Sequence, residues 1–216
     1  MTDNNRYRHF IFDLDGTLVD SIPDLTTSVN LLRAELDLGP VSEDQVRSYV
    51  GDGVGLLVQR ALPRELFTPA SRRRFVDIYT EHLTDATFIY PGILEFLDAH
   101  SGKPKAVVTN KPQHLAEALM EKLGLTGYFD YIIGAEVGLE KKPHPAMVNR
   151  AIELLGIAPV TAVMFGDHHV DLSAARAAGI ASCFCGWGLG YDDGLDCEFR
   201  AATTQQLFDL FPGTLS

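Results

Sequence analysis

The sequence is poor in cysteine, with only Cys183, Cys185 and Cys197 in 216 residues, all of them late in the chain. An odd, clustered set does not build the paired disulfide framework of a small secreted protein. Positive charge is scarce as well: 18 lysines and arginines stand against 29 aspartates and glutamates, a formal net charge of −11. The one basic cluster, SRRRF at Ser71–Phe75, is too short to neutralise a phosphate backbone, so nucleic acid is not an expected partner. Long apolar runs are missing too, and the opening MTDNNRYR is polar rather than signal-like, so no membrane association is expected. Low-complexity tracts and internal repeats are also absent. These absences predict a soluble, cytoplasmic protein. Cys183 and Cys185 would share one face of a strand, but no second cysteine pair or histidine cluster completes a zinc site. They are expected as buried strand residues.

Short apolar, β-branched runs are plentiful: RHFIF before Asp13, KAVVT before Asn110, YIIG at Tyr131–Gly134, AVMFG before Asp167 and ASCFC at Ala181–Cys185. Their near-continuous hydrophobicity suits strands buried on both faces, and helical patterns separate them. The expected fold is therefore α/β, a doubly wound parallel sheet of Rossmann-like form. Ile22, Leu25, Val29, Leu32 and Leu36 recur at helical spacing, with Ser21 placed to cap and Pro23 in the first turn. SEDQV at Ser42–Val46 has the form of a capping box. No strand-like run lies between Asp20 and about Phe88, which predicts a helical insertion over residues 20–88 and a core of residues 1–19 and 89–216. Such an insertion would sit above the C-terminal strand ends, where open α/β sheets bind ligands.

At the end of the first run stands IFDLDGTLVD, with Asp13 and Asp15 one residue apart. Asp15-Gly16 is a turn dipeptide, which accounts for Gly16 but not for Asp13. The run MFGDHHVD repeats the pattern with Asp167 and Asp171. On neighbouring parallel strands, Asp13, Asp15, Asp167 and Asp171 would converge, an unfavourable crowding unless a cation is present or some of the acids are protonated. Oxygen-only ligands favour a hard divalent ion, Mg²⁺ in particular. An EF-hand is excluded, because Leu18 occupies the sixth position from Asp13 where a glycine is required. Thr109 and Asn110 bring hydrogen-bond donors to the same edge, and Lys141 or Lys142 brings a positive charge. Acids, hydroxyl, amide and ammonium together suit the oxygens of a transferring phosphoryl group. One aspartate can attack phosphorus while the other serves as acid and base. Gly16 allows a tight turn that faces the amides near Leu14 and Asp15 toward the phosphate.

FDLDGTLVDS, VVTNKP, KKPHP and FGDHHVDLSAARAAG, in this order, resemble the signature motifs of the haloacid dehalogenase superfamily. Within it, YVGDGVGLLVQRAL at Tyr49–Leu62 and GWGLGYDDG are similar to segments of the phosphoglycolate phosphatase family. The resemblance implies a Mg²⁺-dependent phosphomonoester hydrolase with a helical cap domain, an aspartyl-phosphate intermediate and 2-phosphoglycolate, a small phosphorylated metabolite, as substrate. It implies Asp13 as nucleophile and metal ligand, and Asp15 as general acid and base that lends its backbone carbonyl to the metal. Leu14, Asp15, Thr109, Asn110 and Lys142 would contact the phosphate, and Lys142 would also pair with Asp13. Asp167 would hold the metal, with Asp171 a direct or water-mediated ligand. Lys141 does not immediately precede the proline, so Lys142 is the implied lysine.

His168 and His169 depart from the small hydroxyl residue common in relatives, and adjacent loop histidines are expected in solvent. Gly51, Asp52 and Gly53 form a cap loop expected to reach the substrate, while Arg60 is either a partner for a substrate carboxylate or a solvated helix residue. The cap is expected to close over substrate and reopen for product release. The alternative functions are a phosphatase for a sugar phosphate or pyrophosphate, a phosphosugar mutase, or a non-catalytic scaffold, the last opposed by the presence of Asp13 and Asp15. A monomer or homodimer is expected.

Overall fold

In a computed structural model, which describes residues 6–213, each of the five apolar runs becomes a strand. Strand β1 (His9–Phe12) leads into a two-residue strand β2 (Val19–Asp20). Helices α1 (Ile22–Glu35), α2 (Glu43–Arg47), α3 (Val54–Ala61) and α4 (Pro69–Glu81) follow, and β3 (Phe88–Ile89) ends that excursion. The chain then alternates through α5 (Ile93–Ala99), β4 (Lys105–Pro112), α6 (Gln113–Lys122), β5 (Tyr131–Ala135), α7 (Ala146–Leu155), β6 (Ala162–Gly166), α8 (His169–Ala177) and β7 (Ala181–Cys185). Strand β8 (Phe199–Ala201) and helix α9 (Gln206–Leu210) complete it.

The six long-range strands form one parallel sheet in the order β5-β4-β1-β6-β7-β8. Alternate side chains go to opposite faces. Phe10, Phe12, Val107, Val163 and Phe165 meet α5, α6 and α9 through Phe96, Leu97, Leu115, Leu119 and Leu207. On the other face Ile11, Ala106, Val108 and Met164 meet Met147, Val148 and Ala151 of α7 and Ala174 and Ala175 of α8. Every residue of β6 is buried, which is why its sequence is a continuous apolar run rather than an alternating one. Phe12 and Phe165 stack across adjacent strands with centroids 4.6 Å apart, a contact worth about 1 kcal/mol beyond its area. Cys183 and Cys185 are buried and free on β7, as expected of strand residues. Strand β8 was not legible because Phe199-Arg200-Ala201 carries no apolar run; it is defined by its partner β7.

Strand β1 is central, with β4 and β5 on one side and β6, β7 and β8 on the other. The chain reverses direction across the sheet between β1 and β6, the crevice where open α/β sheets place their ligands. Phe12 is in register with both Val107 and Phe165, so Asp13 and Asp167 leave the sheet at the same edge.

Helices α1 to α4 leave and rejoin the core through an antiparallel ribbon that pairs Val19 with Ile89 and Asp20 with Phe88. Asp24, buried on α1, fastens the return strand by accepting from Ala86 N at 2.9 Å, Thr87 N at 2.7 Å and Thr87 Oγ1 at 2.7 Å. The expected capping box is present: Gln45 N donates to Ser42 Oγ and Ser42 N to Gln45 Oε1. Ser21 differs from expectation. It precedes α1 but makes no side-chain cap; its hydroxyl donates instead to Asp15 Oδ1 at 2.7 Å. Among the described residues no helix is long and apolar enough to cross a membrane.

Candidate active site

At the β1 and β6 ends three buried carboxylates, Asp13, Asp167 and Asp171, present oxygens within 4.8 Å of one another. Gly16 makes this possible: it has φ +89°, and a Cβ there would overlap the Asp167 carboxylate. Asp167 accepts from Leu189 N and Gly190 N, each at 2.8 Å, and from Thr17 Oγ1 at 3.1 Å. Asp171, in the first turn of α8, accepts from His168 N at 3.1 Å. One ammonium faces the cluster: Lys142 Nζ lies 2.8 Å from Asp13 Oδ1 and 2.7 Å from Asp171 Oδ1, and also donates to Val108 O. Among the described residues, one positive charge against three carboxylates leaves the cluster short of cation. Burial, then the neighbouring Asp13 and Asp171, push the Asp167 carboxyl up to about 8. Burial likewise pushes Asp13 up to about 6 although Lys142 pulls the other way. Oxygen-only donors with unbalanced charge fit a hard divalent ion.

Asp15, one residue along from Leu14, faces away from this cluster, so the expected convergence of four acids is a convergence of three. The reason is a cation that sequence reasoning passed over. Lys111 Nζ lies 3.0 and 3.1 Å from the two Asp15 oxygens and donates to Tyr79 Oη at 2.7 Å. The ammonium also stands 4.6 Å from the Tyr79 ring centroid. Burial works against its charge, yet Asp15 and Tyr79 outweigh it and hold Lys111 above the ordinary lysine range. The signal was present as the third residue of TNK. Tyr79 lay hidden in the apolar face of α4, and burial pushes its hydroxyl up to about 12. Between the insertion and the core lies a cavity of about 40 Å³, lined by Asp13, Asp15, Thr109, Asn110 and Lys111 below and by Leu25, Val50, Gly51, Gly53, Val54, Leu57 and Tyr79 above.

Residues 10–185 match the family model described as haloacid dehalogenase-like hydrolase. This chain belongs to the haloacid dehalogenase-like hydrolases. Among its relatives in that family, the phosphoglycolate phosphatase of Chromobacterium violaceum is 39% identical, over 92% of this chain and 94% of its own length. The phosphoglycolate phosphatase of Escherichia coli K12 is 33% identical, over 95% of this chain and 91% of its own. A crystal structure from Haemophilus somnus, described as a predicted phosphoglycolate phosphatase, superimposes with a TM-score of 0.86 at 29% identity, covering 95% of this chain and 98% of that one.

Among the positions that the family resemblance had implied, Lys142 is the lysine that faces Asp13, whereas Lys141 reaches outward to Asp52 O at 3.3 Å. Leu14 N donates to Asp13 Oδ1 at 2.7 Å. The Thr109 hydroxyl lines the cavity and accepts from Lys111 N at 3.2 Å. The Asn110 amide is committed elsewhere: Nδ2 donates to Gly51 O at 3.0 Å and to Lys142 O at 2.9 Å, tying the insertion's loop to the lysine loop instead of offering a free donor. Arg60 is not brought to the cavity. It pairs with Asp52 at 2.6 Å and donates to Tyr49 O, bracing the Gly51–Gly53 loop from outside. His168, expected in solvent, is buried, and burial pushes its imidazole down to about 4. Its ring forms the surface on which Gly51 rests: a Cβ at Gly51, where φ is +114°, would stand 2.8 Å from His168 Nε2.

Proposed function

We propose that this chain hydrolyses 2-phosphoglycolate to glycolate and phosphate with Mg²⁺, residues 20–88 acting as the cap. The observation that carries the reading is that Asp13 and Asp15, separated in sequence only by Leu14, are held by different lysines, Lys142 and Lys111. The cavity supports a small substrate: on a scale where one water needs about 10–15 Å³, it measures about 40 Å³.

Asp13, paired with Lys142, is the carboxylate that attacks phosphorus, forming the aspartyl-phosphate while the bond from phosphorus to the glycolate oxygen breaks. Asp15 in its acid form gives its proton to that leaving oxygen, and its carboxylate then takes a proton from the water that attacks the aspartyl-phosphate, releasing phosphate and regenerating Asp13. Lys142 offsets the charge that gathers on the phosphoryl oxygens. Thr109 and the backbone amides near Leu14 and Asp15 supply hydrogen bonds to those oxygens. Asp13, Asp167 and Asp171 with the Asp15 carbonyl would hold Mg²⁺, which supplies further positive charge to the phosphoryl group. The cap loop Gly51–Gly53 shields the nucleophile from water while the substrate is loaded, and its movement admits the hydrolytic water and releases product.

Phosphate release from a panel of small esters tests this reading, with 2-phosphoglycolate, sugar phosphates and pyrophosphate offered with Mg²⁺ or EDTA to wild type and Asp13→Asn. Release that is Mg²⁺-dependent, greatest with 2-phosphoglycolate and absent in Asp13→Asn is the expected outcome. A preference for another ester would overturn the substrate, and release surviving in Asp13→Asn would overturn the nucleophile.

A further inference from the structure

We infer that Lys111 is the specificity determinant of this site, the cation that receives the carboxylate of the substrate's leaving group. The inference rests on the 2-phosphoglycolate reading and goes beyond it by naming the side chain that recognises the part of the substrate that is not transferred.

Of the described residues that line the cavity, Lys111 is the one cation. Lys142 lies beneath Asp13 and Asp171, with its ammonium taken by both carboxylates and by Val108 O. Arg60 and Lys141 are bound to the outside of the cap loop. The rest of the cap-side lining is Leu25, Val50, Gly51, Gly53, Val54, Leu57 and the Tyr79 side chain, surroundings in which a carboxylate without a cation would be strongly disfavoured. Among the described residues Lys111 is therefore the cation in the cavity wall that an anionic leaving group would meet.

Position agrees with charge. To be protonated, the leaving oxygen must lie beside Asp15, and Lys111 Nζ is in contact with both Asp15 oxygens. In 2-phosphoglycolate the carboxyl carbon is two bonds from that oxygen, so the carboxylate arrives beside the same ammonium. Tyr79 completes the arrangement from the cap side: its hydroxyl fixes the ammonium at 2.7 Å, so the recognition group is assembled from both the core and the insertion.

A purely structural role for Lys111, holding Asp15 in place, would affect every phosphate ester alike. A role in recognition would not. The test compares kcat/KM for 2-phosphoglycolate and for ethyl phosphate, which has the same two-carbon skeleton without the carboxylate, in wild type and Lys111→Met, with thermal melting as the control for folding. Both values are expected to fall, because Asp15 loses a partner, but the ratio favouring 2-phosphoglycolate is expected to fall by a further factor of ten or more, on the order of a lost charge-assisted pair, chiefly through KM. An unchanged ratio would overturn the inference while leaving the proposed reaction standing. A wild type with no preference for 2-phosphoglycolate would instead overturn the proposed substrate. Should Lys111→Met not fold, Tyr79→Phe carries the test, since it frees the ammonium without removing it. A several-fold loss of the ratio supports recognition, and equal losses on both esters refute it.

Discussion

Asp13 shares its corner of the sheet edge with two more buried carboxylates and a single ammonium, whereas Asp15 has a lysine, a serine hydroxyl and, one step further, a tyrosine to itself. The first environment is short of positive charge and the second is balanced. Both arise at the end of one strand, where the turn through Leu14 and Gly16 sends successive acids in different directions. A single element therefore supplies two carboxylates that differ in chemistry because their neighbours come from different places. Asp13 meets residues of the β6 edge and the lysine loop, while Asp15 meets β4 and, through Lys111, the insertion.

The sharpest way to break this comparison is to remove the charges one at a time. Asp13→Asn and Asp15→Asn are each expected to lower turnover by roughly three orders of magnitude or more, since each takes away a group acting on a reacting atom. Their response to Mg²⁺ should differ. Mg²⁺ in excess is expected to raise the melting temperature of wild type, since a ligand present at 100 times its Kd stabilises by about 2.7 kcal/mol. Asp15→Asn keeps that rise because its side chain is outside the cluster, and Asp167→Asn loses most of it. Equal shifts in the two variants, read by calorimetry, would mean that the two environments are not separate.

The pH dependence of stability sharpens the same contrast at smaller amplitude. Asp167 is pushed up to about 8 and Asp13 to about 6, both above the ordinary carboxylate value of 3.8. The folded protein therefore holds more protons than the unfolded chain between about pH 4 and about pH 8, and without metal its stability falls as pH rises through that window. The slope is at most about 1.4 kcal/mol per pH unit for each proton. Mg²⁺ replaces those protons, so its stabilisation should grow from about pH 5 to about pH 8. Melting curves in EDTA that stay flat over this range would contradict the charge shortage in the cluster.

Asp13 and Asp167 were legible because each stands where an apolar strand ends, Asp171 because it follows Asp167 in the same motif, and Lys142 because it immediately precedes a proline; parallel pairing of β1 with β6 brings the first two aspartates to one edge. The five short apolar runs became strands for a related reason, since burial on both faces leaves a continuous apolar mark. Lys111 was visible in TNK, but its role was not legible, nor were the roles of Tyr79 and Ser21. Their roles depend on where the insertion docks, and no periodicity in Ser21–Glu81 encodes which residue of α4 will meet the end of β4. His168 was misplaced because adjacent histidines read as polar, while the fold covers the first of them with Gly51 and Tyr191, whose ring lies 4.9 Å away.

Gly51→Ala probes the contact that joins the two regions. The substitution would place a Cβ 2.8 Å from His168 Nε2 at a backbone angle unfavourable to alanine, so the loop must shift to accommodate it. A tenfold or smaller loss of kcat/KM is expected, about 1.4 kcal/mol, shared by 2-phosphoglycolate and ethyl phosphate because the loop excludes water from the chemistry of both. Loss confined to one ester would instead place Gly51 in recognition.

Asp24 offers the most selective comparison, a further buried aspartate with neither an acidic cluster nor a lysine beside it. Three donors satisfy it, Ala86 N, Thr87 N and Thr87 Oγ1, and all three lie on the segment that brings the insertion back to the core. Asp24→Ala removes those bonds and leaves the backbone donors without their partner, which is expected to lower stability by about 3 kcal/mol. For a chain of this size that is a fall in melting temperature of about 6–12 °C. The Mg²⁺-induced rise should keep its wild-type size in this variant, because the lost contacts hold the ribbon and not the β1–β6 edge. A variant that melted lower and also lost its response to Mg²⁺ would show that the return strand helps to build the acidic cluster, and the separation between the Asp13 and Asp15 environments would then depend on how the insertion is anchored.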